Sequence, residues 1–437
     1  MITVWKLAMQ IKNRQALPGK QKGSILVLTG ISLFMLVGFA ALALDSSILL
    51  VARNELQNGA DAGALAGTRV LYLNSGTSVN AGANQVAFDT ATSNISQTTA
   101  VESNWVGGSN NGDVQRGHWS FATNQFTPNP SLLTVSLWNT TTAELDANVN
   151  FINAVRVTTR REATPVQALF ARIWGVDSTE MSATAVAYIG FAGSLQPEEV
   201  DQPLAICGDS IVDSGGNYSC NVGRMIPEGD QTGGWTNFVQ ESSCTGPAAP
   251  PPTVKPLICA TGNPDMLNFG ADMNTNNGQN QPDFVDLESC WVGKTDRTEP
   301  WNITLPVINC DGNIAPCNEL IGAVNVNVIW IQNKAQSAHI DNPGMAPSSM
   351  DCDDCPQGSW TAPLDPSGNP VGGIQRWDSF VDHFQLKNSD GSSATYASGG
   401  WRQKTVYFLP DCTPHEPSGT TGGENFGILA KIPVLVQ

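Results

Sequence analysis

From Ser24 to Leu44 the chain reads SILVLTGISLFMLVGFAALAL, with no charged side chain at any position. As a helix rising about 1.5 Å per residue, this run is about 31 Å long, the thickness of a bilayer's hydrocarbon core. It predicts one transmembrane helix over 24–44. Helical patterning continues past Asp45. Leu49, Ala52, Leu56, Gly59, Gly63, Ala66, Val70 and Leu73 follow one another at alternating spacings of three and four, the seam of a heptad. A second helical stretch is therefore expected over 45–74, stopped by Asn74-Ser75-Gly76.

Gly59, Gly63 and Gly67 stand four apart on this seam. Each glycine inside a helix lowers helix propensity by about 1 kcal/mol relative to alanine. A ladder of them is accounted for if another backbone lies close against it. Its occupant is either a partner subunit or the chain's own folded exterior. A flexible alanine and glycine spacer is the alternative.

Beyond residue 76 the period changes. Residues 77–195 predict a helix at about 79–93, strands near 114–121 and 153–159, a helix over 165–174, and an alternating strand over 180–189. On that last strand Ser182, Thr184 and Tyr188 face away from Ala183, Ala185 and Ala187. The region reads as a small α+β domain. From 196 to 437 the pattern is mainly β. Val324, Val326, Val328 and Trp330 alternate with Asn325, Asn327 and Ile329, and 405–409 and 427–436 are further strands. Long loops are expected at 246–256 and 339–360. The fold class is α+β: a transmembrane helix extended into an exported helix, a small α+β domain, then a disulfide-rich, mainly β domain.

Charge fixes an orientation. The net charge is -17, which argues against nucleic acid as a partner, yet Lys6, Lys12, Arg14, Lys20 and Lys22 precede residue 23 with no acid among them. Positive flanks stay cytoplasmic, so segment 1–23 is expected inside and the bulk exported, periplasmic or surface-exposed. Ala41-Leu42-Ala43 has the form of a signal-peptidase site, but the run is longer than a usual signal sequence, and an intact anchor is expected.

All ten cysteines lie in the exported half: Cys207, Cys220, Cys244, Cys259, Cys290, Cys310, Cys317, Cys352, Cys355 and Cys412. An even number there points to disulfides formed in an oxidising compartment. Spacing leaves the pairing open, with near neighbours such as Cys207 and Cys220, or Cys310 and Cys317, as plausible partners. Cys352-Asp-Asp-Cys355 has redox or half-zinc spacing. Its acidic neighbours disfavour a thiolate, so a structural bridge is expected.

The helical signature is similar to that of a known family. GSILVLTGISLFMLVGFAALALD followed by LQNGADAGALAG resembles the N-terminal region of TadE/TadG-like proteins of the Tad (tight adherence, Flp pilus) family. QRGHWSFATNQFTPN at 115–129, NAVRVTTRR at 153–161 and TPVQALFARIWGVDSTEMSATAVAYIG at 164–190 keep the resemblance. It covers roughly residues 20–190. It implies an inner-membrane, single-pass component of a pilus assembly or secretion system whose partners are other subunits of that system. Pilin precursors of such systems carry glutamate at the fifth mature position. Here Leu28 stands fifth after Gly23, so processing there is not expected. Some relatives also carry a von Willebrand A domain with a D-x-S-x-S metal motif. Asp365-Pro-Ser-Gly-Asn and Asp390-Gly-Ser-Ser-Ala lack its last serine.

Candidate chemistry is sparse. Asp272, Asn274 and Asn276, ending at Asp283, place oxygens like a calcium loop, but the glycine comes one position late and no flanking helix is evident. None of His118, His339, His383 and His415 adjoins a nucleophile or zinc motif, and no phosphate-binding loop occurs. No catalytic residue, metal or cofactor is expected. A second function class is an independent adhesin or glycan binder using tryptophans exposed on loops, such as Trp235 and Trp360.

Overall fold

The computed structural model describes residues 24–73, 76, 78–133, 140–212, 220, 224–225, 232–240, 253–276, 281–310, 314–333, 348–353, 355–400 and 404–437. The basic segment 1–23, the expected helix stop at Asn74-Ser75, Cys244, His339 and the loop residues 246–252 and 339–347 lie outside them.

The apolar run and the seam form one unbroken helix, α1 (Ser24–Arg69). It is the described helix long and apolar enough to cross a membrane. Its first half holds its side chains away from the protein; Leu26 is 77 % and Phe34 76 % exposed. From Ala52 onward one face is buried. The helix ends at Arg69 rather than near 74, because Leu71 N–H turns back to the Thr68 carbonyl and the Thr68 hydroxyl donates to Ala187 O.

Against α1 lie α2 (Ala83–Thr92) and a five-stranded antiparallel sheet. Its strands are β1 (Val114–Ser120), β2 (Gln125–Pro128), β3 (Ala154–Gln167), β4 (Ser178–Phe191) and, from the far end of the chain, β11 (Lys431–Leu435). Their order is β11-β4-β3-β1-β2. Alternation sends Val155, Val157, Ala185, Ala187 and Ile189 into one core with Ala60 and Ala64 of α1 and the alanines of α2. The opposite face packs Trp119, Ala154 and Val186. The expected alternation of 180–189 is thus found within β4.

The expected helix over 165–174 is not present. β3 extends through Gln167, and only a 3₁₀ turn, Ala171–Trp174, follows, closed by Gly175 at φ 84°. Tertiary hydrogen bonds described below hold this segment and override its helical periodicity. A helix that periodicity missed, α3 (Thr142–Ala147), starts on a capping box between Thr141 and Glu144.

The C-terminal half is built on a second sheet: β5 (Leu204–Cys207), β6 (Gly233–Thr236), β7 (Asp272–Asn276), β8 (Trp301–Ile308), β9 (Cys317–Gln332) and β10 (Thr405–Phe408), with short strands Arg224–Met225 and Thr413–Pro414 at its margin. The order runs β7-β6-β5-β8-β9-β10, and β7 also pairs with β9, so five strands make a closed circuit of pairings. Two helices, α4 (Gln281–Thr295) and α5 (Gly373–Phe384), contribute Phe284, Trp291, Trp377 and Phe380 to its largest core.

Candidate functional site: the packing face of the long helix

The glycine ladder is occupied from within the chain. α2 runs antiparallel to α1 and presents Ala83, Ala87 and Ala91, also spaced by four. A Cβ built on Gly63 would stand 2.8 Å from both the Ala87 carbonyl oxygen and the Ala91 Cβ, and one on Gly67 would stand 2.7 Å from the Ala87 Cβ. At Gly59 the nearest atom would be at 3.4 Å. The two backbones therefore approach most closely at Gly63 and Gly67, where only a hydrogen fits.

Of the seam residues, Ala52, Leu56, Gly59, Gly63 and Gly67 are buried, while Leu49, Ala66 and Val70 are partly covered, Val70 lying just past the helix end. Ala60, Ala64 and Thr68 are buried as well. The contact is broader than a heptad seam, because it faces both α2 and the sheet. Polar groups key it. The Thr159 hydroxyl donates to Leu56 O at 2.7 Å and the Ser96 hydroxyl to Ala52 O at 3.3 Å. The Gln97 side chain donates to Ile48 O, and its backbone N–H donates to Glu55.

At the junction of the two halves of α1 stands Asp45, 7 % exposed. Its carboxylate accepts from the backbone N–H groups of Leu169 at 2.9 Å, Phe170 at 3.1 Å and Ala171 at 2.6 Å. Burial pushes its pKa up, but those three donors and the nearby Arg172 charge outweigh this and hold it below the ordinary carboxylate value. This clamp replaces the expected 165–174 helix with an extended arrival and a single turn. Glu102 clamps the neighbouring irregularity of β3 in the same manner, accepting from the N–H groups of Glu162, Ala163 and Thr164.

At its far end α1 meets the C-terminal half. Arg69 pairs with Glu416 at 2.6 Å, and the Lys431 ammonium donates to Arg69 O at 2.5 Å. Desolvation brings Lys431 down to about 8 despite Glu416. A cavity of about 520 Å³ lies here between the halves, lined by Tyr72, Asn80, His415 and Ile428 among others.

The other sequence candidates find structural places. Four bridges join Cys207 to Cys310, Cys220 to Cys412, Cys259 to Cys290 and Cys352 to Cys355, with Cα separations of 5.3–5.8 Å. Cys317 is disulfide-bonded too. The near-neighbour pairings of Cys207 with Cys220 and Cys310 with Cys317 are not formed. Sheet register decides instead: Val307 and Ile308 of β8 pair in parallel with Ile206 and Cys207 of β5, which brings Cys310 to Cys207.

Asp272, Asn274 and Asn276 lie along β7, and Asp283 falls in α4, so a helix does follow that segment. No group of three or more His, Cys, Asp or Glu among the described residues is arranged to hold a metal. His118 bonds the carbonyls of Phe151 and Asp146, and His383 that of Gly358. Trp235 and Trp360, expected exposed, are 2 % and 4 % exposed; they pack on Phe284 and Phe380 in the core. Among the described tryptophans only Trp174 is exposed.

Two family models match the chain. A Tad-like Flp pilus-assembly model covers residues 57–187, and a TadE/G-like Flp pilus-assembly model covers residues 23–81. No curated protein and no solved structure matches it. Together the matched stretches take in α1, α2, β1 to β3 and most of β4, which is the packing face described above.

Proposed function

We propose that the protein, whose residues 23–187 match models of the Tad/Flp pilus-assembly family, is a non-enzymatic component of a Tad/Flp-type pilus assembly or secretion system, anchored in the bacterial inner membrane with its N-terminus cytoplasmic. The observation that carries this reading is the division of α1. Residues 25–44 expose an apolar surface on which, among these side chains, only Ala41 is buried, while the same helix from Ala52 onward is built into a folded unit. An apolar helix half left almost bare of protein fits a bilayer.

The basic residues before position 23 support the orientation, and bridged cysteines support export to an oxidising compartment. In this reading residues 77–195 build the family's own unit on α1, and residues 196–437 supply contacts particular to this protein. Because the glycine ladder is filled by α2, contacts with other pilus subunits fall to other surfaces. The adhesin reading loses its sequence argument with the burial of Trp235 and Trp360.

Deleting the gene and imaging surface pili tests the assignment, together with affinity isolation from detergent-solubilised envelopes. Loss of pili, restored by the gene in trans, and recovery of other pilus-system proteins are expected. Normal pili and no such recovery would sink it.

A further inference from the structure

The Asp45 clamp has no place in packing α2 against the sheet. It ties residues 169–171 to the boundary where α1 turns from exposed to buried. The segment it ties is apolar and open: Leu169, Ile173, Trp174 and Val176 are 56 %, 74 %, 65 % and 48 % exposed. In a water-soluble surface such a cluster is unfavourable, since each apolar side chain left out of water gains roughly 25 cal/mol per Å². We propose that residues 168–176 are a second membrane contact, a loop seated in the headgroup and acyl boundary of the leaflet from which α1 emerges.

Three observations commit the surface to lipid. First, depth: three hydrogen bonds to Asp45 fix the loop one residue beyond the uncharged run 24–44, hence at the edge of the hydrocarbon core. Second, continuity: the exposed apolar surface of α1 runs through Leu42 and Leu44 to this level, and Leu50 and Val51 prolong it. Third, chemistry: the single exposed tryptophan among the described residues sits here beside exposed Arg172, the pairing of an amphipathic ring and a cation that suits an anionic interface. A lone helix leaves the exported part free to swivel about its exit point. A second contact on a short, clamped turn holds it in one orientation above the bilayer.

This inference rests on the reading of α1 as a membrane anchor, and the test separates the two. Benzoylphenylalanine is placed at Leu36, Ile173 or Val106 of the full chain, reconstituted in phosphatidylethanolamine and phosphatidylglycerol vesicles. Val106 is exposed too, but the adjoining Gly107 lies against Gln85 near the Gly67 end of α1, about 33 Å farther along the helix. After illumination, lipid adducts are expected at Leu36 and Ile173 and not at Val106. Adducts at Leu36 alone overturn the loop proposal and leave the anchor standing; no adduct at Leu36 overturns the anchor. In native envelopes, a protein adduct at Ile173 in place of lipid also overturns the proposal. Asp45→Asn should reduce the Ile173 adduct by roughly tenfold, the scale of one weakened charge-assisted bond, without changing Leu36. An unchanged Ile173 adduct in that variant removes Asp45 as the loop's holder.

Discussion

Single residues decide how closely α1 and α2 approach, and here the glycines are not equivalent. Alanine raises helix propensity by about 1 kcal/mol at any of them, so only the space beyond Cα distinguishes the sites. At Gly59 an added methyl meets neighbours at ordinary contact distance; at Gly63 it meets a carbonyl oxygen and a methyl at 2.8 Å, and neither can yield without moving α2. Gly59→Ala should therefore be neutral or stabilising by up to about 1 kcal/mol. Gly63→Ala should destabilise the N-terminal unit by about 1–2 kcal/mol and Gly63→Leu by more, as overpacking of a close helix contact does. Thermal midpoints of the detergent-solubilised protein measure the difference, and equal responses at Gly59 and Gly63 would remove the close-approach argument. Asp45 yields a second test. Its pKa is lower in the folded protein than in the unfolded chain, so its clamp is complete above the ordinary carboxylate range and is lost as pH falls through the depressed folded value. Asp45→Ala should lower the hydrogen-exchange protection of the amides of 169–171 at neutral pH, and wild type should lose the same protection, taken relative to the intrinsic exchange rate at each pH, only in acid. The small-residue ladder was legible in the sequence; its occupant was too, in principle, since Ala83, Ala87 and Ala91 repeat the same spacing in ANQVAFDTA. The role of Asp45 was not legible, because its partners are main-chain groups 124–126 residues away.

Among elements, the informative failure is the stretch 165–174. Its apolar periodicity is helical, and a local reading has no means of seeing that Asp45 spends its acceptors on residues 169–171 and Glu102 on the adjoining 162–164. Tertiary hydrogen bonds decided the conformation where propensity was nearly balanced. The strands fared better, because their alternation reports one buried face: β4 and β9 were recognised from period two alone. β11 shows a different limit. Its sequence reads plainly as a strand, but which sheet it joins is set by chain topology. There the Lys431 ammonium caps the end of α1 under desolvation that lowers its pKa to about 8. A lysine whose folded pKa lies below its unfolded value releases its proton more readily in the folded state, so stability should rise as pH increases from about 8 toward 10. Lys431→Met should flatten that rise. Thermal midpoints at pH 7.5 and 9.5 for both proteins check it, and a pH response unchanged by the substitution would refute the assignment to Lys431.

For the whole molecule, all ten cysteines lie beyond residue 195, the first at Cys207, and the two sheets largely follow that division of composition. The bridges then act on the second sheet. The Cys207–Cys310 bridge closes a span of 103 residues, for which the chain-entropy account gives about 4–5 kcal/mol. Replacing both by serine should lower the denaturation midpoint of the C-terminal part well before that of α1, α2 and their sheet. Yet the chain crosses back. Residues 427–430 are buried against β9, with Ile428 and Leu429 in the large core, and β11 then completes the first sheet. Lys431 to Leu435 pair with Phe191 to Ala187, Ala192 N–H donates to Ala430 O at 2.8 Å, and Val186 N–H to Gln437 O at 2.9 Å. A fragment ending at residue 195 therefore exposes the edge of β4, a row of unpaired main-chain groups that templates association. It should form aggregates and show fast hydrogen exchange over 187–191, whereas the same fragment carrying residues 425–437 on a flexible linker should be monodisperse and protected there. If the bare fragment to 195 is already monodisperse, with protection at 187–191 equal to the full chain, then β11 is an ornament on a self-sufficient unit. If the appended strand restores order, the last residues of the chain couple the disulfide-bonded half to the helix that leaves the membrane, and a force or binding event on one half is transmitted to the other through five paired residues together with contacts such as Arg69–Glu416.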